Sequence, residues 1–173
     1  IIGIINKIGA FDAGMAALSK RTKGKEFLLV TLVFLLTTLG GTTFGLAEET
    51  IAFYPILMPI FLLSGFDVLT CIAAIYMGSS IGTMFSTTNP FATVIASNAA
   101  GISFTKGLTF RIVALVLASV ITLAYMYWYA QKVKKDKTKS YVYVDEEEIH
   151  KRFLGEYDSN SEKEFTWRRK LCL

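Results

Sequence analysis

Side chains that could bind a small solute or an ion are concentrated in two Gly/Ser/Thr-rich stretches, residues 40–50 and 78–90, which interrupt apolar sequence. The candidate binding residues are Thr42, Thr43, Glu48, Glu49, Ser79, Ser80, Thr83, Ser86, Thr87, Thr88 and Asn89. Oxygen atoms of this kind suit a sodium ion, or hydrogen bonds to a substrate carboxylate. Interrupted backbone at membrane depth survives only where protein buries it or where it lines a cavity. We therefore predict that the two stretches form the two sides of one binding site.

The adjacent carboxylates of Glu48 and Glu49 are the sharpest single feature of the first stretch. A carboxylate at the centre of a membrane costs about 2.5–3.5 kcal/mol on insertion scales, and it is then usually functional. Two adjacent carboxylates favour a cation, which would be a coupling ion, a proton or the amine of a basic substrate. The alternative interpretation is structural: both could lie in water at a loop tip, or at a helix N-terminus, where negative charge is favourable.

The composition is that of a membrane protein. Hydrophobic residues make up 53% of the chain and charged residues 18%, below the roughly 25% that is usual in soluble domains. Residues 1–130 contain seven Lys/Arg and five Asp/Glu, and the remaining 43 residues contain eleven and nine. The basic residues flank apolar segments, so the net charge does not indicate nucleic-acid binding. The two cysteines predict neither a disulfide framework nor a metal site, no cofactor is expected, and no motif of a soluble enzyme is present.

Predicted helices position the two stretches. Residues 27–39 and 51–63 are apolar arms of about 13 residues each, short of the ~20 needed to cross a bilayer. They predict a re-entrant helical hairpin with a glycine-rich tip, although one interrupted span over residues 27–63 is an alternative. Residues 66–100 predict a transmembrane helix that is broken at the second stretch. Residues 110–130 predict one uninterrupted span that ends in an aromatic group at the membrane interface.

Two lysine-rich segments, residues 20–25 and 132–139, bear on the topology. Basic segments next to spans stay in the cytoplasm. With a hairpin that enters the membrane and returns, both segments fall on the cytoplasmic side. With a single span in its place, the second segment would lie outside. The charge pattern therefore favours the hairpin.

The predicted fold class is all-α integral membrane, with a re-entrant helical hairpin, a broken transmembrane helix and a scaffold transmembrane helix. The predicted segments are an interfacial amphipathic segment with a cytoplasmic basic cluster (1–26), the hairpin (27–64), the discontinuous helix (65–101), a transmembrane helix (102–131), a cytoplasmic charged linker (132–170) and the start of a truncated next span (171–173). The first residue is Ile1, and a basic cluster followed by three apolar residues closes the chain. We interpret the chain as a fragment of a longer protein.

Both stretches carry a resemblance to a known family. The sequences GGTTFGLAEETIAFYPILMPIF and YMGSSIGTMFSTTNPFATVIASNAAGI resemble those of the YfcC/DcuC-type carriers, described as C4-dicarboxylate anaerobic carriers or basic amino acid antiporters. FDAGMAALSKRTKGKE and the late FTWRRKL are also similar to that family. The resemblance covers most of residues 1–130, and the charged linker adds little to it.

The resemblance implies membership of the ion transporter superfamily. Such proteins consist of two inverted repeats, each with a re-entrant hairpin and a broken helix, and they commonly work by an elevator movement. This chain would be the first repeat. Related sodium–dicarboxylate symporters have Ser-Asn-Thr at the tip and Pro-Asn in the unwound loop, whereas this chain has Gly41-Thr42-Thr43 and Asn89-Pro90. With Glu48 and Glu49, this departure favours a cationic or zwitterionic substrate such as a basic amino acid.

The sequence and its resemblance together predict a secondary active transporter, a symporter or antiporter coupled to sodium or protons. It would move amino acids or dicarboxylates across the bacterial cytoplasmic membrane as a multi-pass protein. Its expected partners are the lipid bilayer, the second half of the same transporter and, as in related elevator-type proteins, a second copy in a homodimer. The alternative is a small membrane protein that interacts with other proteins and does not transport.

Overall fold

The computed structural model describes residues 26–145 together with residues 148, 149 and 151, and these contain helices and no strand. The α-helices are α1 (Glu26–Phe44), α2 (Tyr54–Leu63), α3 (Val68–Met84), α4 (Ile95–Ala99) and α5 (Leu108–Lys135). Shorter turns are the 3-10 helices Glu48–Phe53, Lys137–Lys139 and Tyr143–Asp145 and the π-helical turn Pro90–Val94. The predictions for residues 1–25, for most of the linker after residue 145 and for residues 171–173 lie outside the described residues.

Within the described residues, two helices are long and apolar enough to cross a membrane. They are α1, with 19 residues and a mean hydropathy of 2.0, and α5, with 28 residues and a mean hydropathy of 2.1. Helix α5 contains the span predicted at residues 110–130 and continues to Lys135. Its last turn holds Lys132 and Lys134 as well as Lys135, where positive charge interacts favourably with the helix dipole.

The first interruption begins later than the sequence predicts. The pattern places the end of the first arm at residue 39, but α1 continues through Gly40 and Gly41 to Phe44. The prediction that these glycines break the helix is therefore wrong. A helical glycine costs only about 1 kcal/mol relative to alanine, and packing of α1 against α3 outweighs that cost. The chain leaves the helix at Gly45, whose φ of +76° is a conformation that glycine adopts easily. The first arm is thus 19 residues long, and the re-entrant hairpin stays a prediction.

The second interruption is present and is shorter than the sequence predicts. Helix α3 continues through Gly78 and Gly82 to Met84, the chain is unwound over residues 85–89, and helical structure restarts at Pro90. Asn89 has a ψ of 118°, because the residue before a proline is excluded from the helical region. The helix is therefore discontinuous as predicted, but its glycines lie inside it.

Helices α1 and α3 run in the same direction and cross where glycines face the partner helix. A Cβ atom on Gly78 would collide with the Thr37 hydroxyl and lie 2.7 Å from the carbonyl oxygen of Phe34. A Cβ atom on Gly82 would collide with the carbonyl oxygen of Thr38. Small residues four positions apart allow two helices to approach this closely. The glycines thus allow the backbones of α1 and α3 to pack in close contact.

The start of α1 and the end of α5 lie side by side. Lys134 forms an ion pair with Glu26, and the rings of Phe27 and Tyr127 meet edge to face at 4.9 Å. We call this the lysine-rich end. The first lysine-rich segment precedes α1 in the sequence, and the second begins in the last turn of α5. The contacts of Lys134 with Glu26 and of Tyr127 with Phe27 place the start of α1 next to the end of α5, as the charge pattern predicts.

The buried core lies between α1, α2, α3 and the last third of α5. Phe34, Phe61, Cys71 and Ile75 are fully buried in it. The apolar window of α5 that qualifies as a membrane span is 0% buried, so most of α5 presents apolar side chains outward.

Candidate functional site

The two interrupted segments meet at Thr42, whose side chain is buried. Its carbonyl oxygen accepts hydrogen bonds from the backbone N–H groups of Thr87 at 3.1 Å and Thr88 at 3.2 Å. Its hydroxyl oxygen also accepts one from the N–H of Thr87 at 3.0 Å. The last carbonyls of a helix have no partner within the helix, and here the unwound loop after α3 supplies partners for the end of α1. We call residues 41–46 together with residues 85–93 the junction.

The side chain of Asn89, which is 1% exposed, connects both parts of the junction. Its Oδ1 atom accepts hydrogen bonds from the N–H groups of Phe91 at 2.9 Å and Ala92 at 3.1 Å, and so caps the restarted helix. Its Nδ2 atom donates to the carbonyl oxygen of Gly41 at 3.3 Å. Gly45 passes so close that a Cβ atom there would lie 2.8 Å from both Nδ2 and Oδ1. One carboxamide therefore fixes the end of α1 against the restarted helix.

Further hydroxyls close the junction. Ser79 Oγ donates to the carbonyl oxygen of Leu46. The hydroxyls of Ser86 and Thr93 share a hydrogen bond of 2.6 Å, and both side chains are buried. Thr93 is not among the predicted residues, because it follows Pro90 in sequence that reads as ordinary apolar helix. The only sequence signal for it is its place in the first turn after a proline.

Some predicted residues stay outside this network. The Thr43 hydroxyl donates to the carbonyl oxygen of Leu39 in its own helix at 2.6 Å. Ser80 is exposed, and Thr88 contributes its backbone N–H while its side chain is exposed. The Thr83 hydroxyl is buried and has no hydrogen-bond partner within the described residues. The predicted set is therefore divided, and the members that take part in the network through their side chains are Thr42, Ser79, Ser86, Thr87 and Asn89.

Glu48 and Glu49 are exposed in the first turn of the 3-10 helix that follows the junction. The Glu49 carboxylate accepts a hydrogen bond from the N–H of Ala47 at 3.2 Å. This is a capping contact of the kind that the structural interpretation describes. Among the described residues, no hydrogen bond joins the carboxylate of Glu48 or of Glu49 to a hydroxyl of the junction. The binding role of the two glutamates stays a prediction.

The chemistry of the junction is that of neutral oxygen atoms. The carbonyl oxygen of Gly41 accepts from the Asn89 carboxamide, that of Thr42 from the Thr87 hydroxyl and that of Leu46 from the Ser79 hydroxyl. Oxygen ligands suit hard cations, and hydroxyls and amides also suit a solute that is recognised by hydrogen bonds. Among the described residues, no three His, Cys, Asp or Glu side chains form a group that could hold a metal ion. Any sodium ion here would be held by backbone and hydroxyl oxygens.

Asp67, which is not among the predicted site residues, joins three segments at the lysine-rich end. Its Oδ1 atom caps α3 by accepting from the N–H of Thr70 at 3.0 Å and from its hydroxyl at 2.5 Å. Its Oδ2 atom accepts from the Tyr129 hydroxyl at 2.6 Å and from the Ser140 hydroxyl at 2.7 Å. Asp before an apolar helix is a readable capping signal. The other two contacts join residues 62 and 73 positions apart, which no local pattern reveals.

We expect the Asp67→Ala variant to be clearly less stable than the wild type. Loss of a helix cap costs ~1 kcal/mol, and a hydroxyl left without its acceptor costs about 1–3 kcal/mol where it is buried. Thermal unfolding in detergent measures the change. The double variant with Tyr129→Phe should lose less than the sum of the two single losses, because both substitutions remove the same hydrogen bond. Strict additivity would contradict this role for Asp67.

One acidic side chain offsets part of the positive charge beyond α5. Asp136 pairs with Lys139 at 3.4 Å. Hydrogen bonds to its carboxylate hold the pKa of Asp136 below its ordinary value. The hydroxyl of Thr138 has the larger effect and the ammonium of Lys139 the smaller one. Asp136 is therefore ionised at neutral pH and cancels one of the five lysine charges in residues 132–139.

Comparison with known proteins identifies the family of the chain. The profile of the C4-dicarboxylate anaerobic carriers (DcuC) matches residues 1–173. An uncharacterized protein of Haemophilus influenzae is 52% identical over 173 residues, which are 100% of this chain and 34% of that protein. The Escherichia coli (strain K12) protein named "Putative basic amino acid antiporter YfcC" is 35% identical over 161 residues, which are 93% of this chain and 31% of that protein. No solved structure is significantly similar to the chain.

The chain spans about a third of the length of these two relatives. The family match covers all of it, including both interrupted stretches, and so confirms the resemblance found in the sequence. Two apolar helices long enough to cross a bilayer accord with a membrane protein. The family and the named relative are described by transport and not by catalysis. The chain belongs to the C4-dicarboxylate anaerobic carrier family, a family of carriers and not of enzymes.

Proposed function

We propose that the intact protein is an ion-coupled secondary transporter that moves small organic solutes across the bacterial cytoplasmic membrane by alternating access. The junction would be half of its binding site. The observation that carries this proposal is the meeting of two interrupted helical segments through the oxygen atoms of Thr42 and the loop after α3. Discontinuous helices with unwound carbonyls and free helix ends are what secondary transporters use to bind solutes and ions.

The other half of the site would come from an inverted second repeat elsewhere in the protein. The length of the relatives leaves room for one, because this chain covers only about a third of each. In this arrangement residues 27–64 are the re-entrant hairpin, residues 65–101 the discontinuous helix and residues 102–131 a scaffold span. A homodimer of the intact protein and a multi-pass topology belong to the same proposal.

The coupling ion would be sodium or a proton, and the solute a basic amino acid or a C4-dicarboxylate. A sodium ion would be held by the carbonyl oxygens of Gly41 and Leu46 and the hydroxyl of Thr42. The family description favours a dicarboxylate, whereas the name of one relative favours a basic amino acid. The exposed carboxylates of Glu48 and Glu49 favour the basic amino acid, since a cationic solute would neutralise them.

Uptake by the intact protein in proteoliposomes tests these alternatives. Labelled arginine, ornithine and succinate are supplied in turn, under a sodium or a proton gradient. We expect arginine or ornithine flux that falls at least about ten-fold in Glu48→Gln, the equivalent of ~1.4 kcal/mol. The effect of Glu49→Gln should be smaller, because its carboxylate is already engaged by the N–H of Ala47. Thr42→Val should abolish flux of whichever solute is carried.

Thr109→Val is the matched control for Thr42→Val, because this residue is exposed and lies outside both interrupted stretches. Its uptake should equal that of the wild type. Succinate flux that is driven by sodium and indifferent to both glutamate substitutions would make the carboxylates structural and the solute a dicarboxylate. Absence of flux for all three solutes under both gradients, with correctly folded protein, would contradict the transporter proposal itself.

A further inference from the structure

A candidate binding site lies at the lysine-rich end, at the opposite end of α1 from the junction. It is an open cleft of about 410 Å³ between the start of α1 and the end of α5. Its lining includes Glu26, Phe27, Phe66, Tyr127, Gln131 and Lys134. Clefts of this volume can accommodate small-molecule ligands, and the solute-binding role proposed for the junction does not use this one.

The polar groups of the cleft are arranged around Lys134. Its ammonium forms an ion pair with Glu26 and lies 5.8 Å from the centre of the Phe66 ring. Gln131 lies about one turn earlier on the same helix and also lines the cleft. The edge-to-face pair of Phe27 and Tyr127 provides an aromatic wall. A cation and a carboxamide thus line a cleft whose walls are partly polar and partly apolar.

The surroundings of the cleft have the chemistry of a membrane interface. Tyr127 is 52% exposed and Trp128 is 55% exposed. The Nζ atom of Lys132 lies 5.2 Å from the centre of the Trp128 ring. Exposed aromatic residues beside lysines at the end of a span are typical of the headgroup level. Lys135 follows within the same turn, and Lys23 and Lys25 directly precede α1 in the sequence. The end of α5 beside the cleft is therefore positively charged.

We propose that this cleft binds the phosphodiester headgroup of an anionic phospholipid. Lys134 would contact the phosphate and Gln131 would donate a second hydrogen bond. The acyl chains would lie along the exposed apolar side chains of α1 and α5, such as Leu28 and Tyr125. Basic pockets between transmembrane helices on the cytoplasmic side are suited to such headgroups. A zwitterionic lipid fits less well, because its choline group would face the same lysines.

Glu26 gives this site a distinctive property. It is the partner of Lys134 in the structure, so a lipid phosphate competes with it for the same ammonium. Removal of the carboxylate charge should therefore strengthen lipid binding, whereas removal of the ammonium should weaken it. If the ion pair served only to hold α1 against α5, both substitutions would act in the same direction.

Native mass spectrometry of the intact protein, released from nanodiscs with equal amounts of phosphatidylglycerol and phosphatidylcholine of identical acyl chains, tests the proposal. We expect phosphatidylglycerol to be retained preferentially, and the preference to weaken as ionic strength rises. Lys134→Ala should lower its retention by about five-fold, as expected for the loss of one lysine beside an anionic lipid. Lys134→Arg should preserve retention, and Glu26→Gln should raise it.

The matched control is Lys106→Ala, which removes an exposed lysine before the other end of α5 and should leave retention unchanged. Gel filtration of each variant establishes that it is folded, and Glu26→Gln, for which the proposal predicts a rise in retention, keeps the test decisive if the alanine variant is unstable. Equal retention of the two lipids would overturn the proposal. So would a loss of retention in both Lys134→Ala and Glu26→Gln, or an equal loss in Lys106→Ala.

Discussion

Replacing Gly78 with alanine is expected to destabilise the intact protein and to force α1 away from α3. The added Cβ atom would collide with the Thr37 hydroxyl and lie 2.7 Å from the carbonyl oxygen of Phe34. The Thr37 hydroxyl itself donates across the helix pair to the carbonyl oxygen of Ala74 at 3.1 Å, so that hydrogen bond would be lost too. Overpacking of a close contact typically costs ~1–3 kcal/mol. Thermal unfolding of the purified protein measures the loss.

Two further variants make this experiment specific. Gly82→Ala should behave like Gly78→Ala, because its Cβ atom would lie 2.9 Å from the backbone nitrogen of Thr42. It should also lower solute uptake, since it displaces a residue of the junction. Ser80→Ala, on the exposed face of the same helix, should change stability by no more than about 0.5 kcal/mol. A Gly78→Ala protein that unfolds at the wild-type temperature would refute the close crossing.

Replacing Asn89 with leucine, which is similar in size, is expected to be the most damaging change in the junction. It removes the acceptor for the N–H groups of Phe91 and Ala92 and the donor to the carbonyl oxygen of Gly41. The side chain is 1% exposed, so little water can replace these hydrogen bonds. A buried polar group left without a partner costs about 1–3 kcal/mol, and several are affected at once. We expect a large drop in unfolding temperature together with loss of uptake.

Asn89→Asp separates the two functions of the carboxamide. It keeps an acceptor for the N–H groups of the restarted helix, but it loses the donor and sets a carboxylate against the carbonyl oxygen of Gly41. Its stability should lie between those of the wild type and Asn89→Leu. If Asn89→Asp were as unstable as Asn89→Leu, the cap would contribute nothing to stability, and if it were as stable as the wild type, the hydrogen bond to Gly41 would contribute nothing.

The crossing and the junction are consequences of one arrangement. Because α1 and α3 run in parallel and approach at Gly78 and Gly82, the end of α1 lies beside the loop that follows α3. The unpaired carbonyls at that helix end then meet the N–H groups of Thr87 and Thr88. We therefore expect substitutions at the crossing to affect uptake even where they touch no residue of the junction.

The sequence by itself determined the features that depend on local chemistry. Apolar runs and their lengths predict helices in a membrane, and Asn89 before Pro90 predicts the unwound turn, because a proline restricts the residue before it. The charge pattern places the start of α1 and the end of α5 at one end, and the ion pair between Glu26 and Lys134 joins those same two helix ends. The motifs of both stretches identify the family.

Only the tertiary structure decided what the glycines and the polar side chains do. A glycine weakens a helix and also permits a close contact, and the packing partner determines which effect prevails: Gly41 and Gly78 lie within helices at a crossing, whereas Gly45 ends one. The hydrogen bond from Asn89 to Gly41 joins residues 48 positions apart. Asp67 accepts hydrogen bonds from Tyr129 and Ser140, which are 62 and 73 positions away. Such pairings depend on how the helices pack against one another. A short stretch of sequence does not specify that packing.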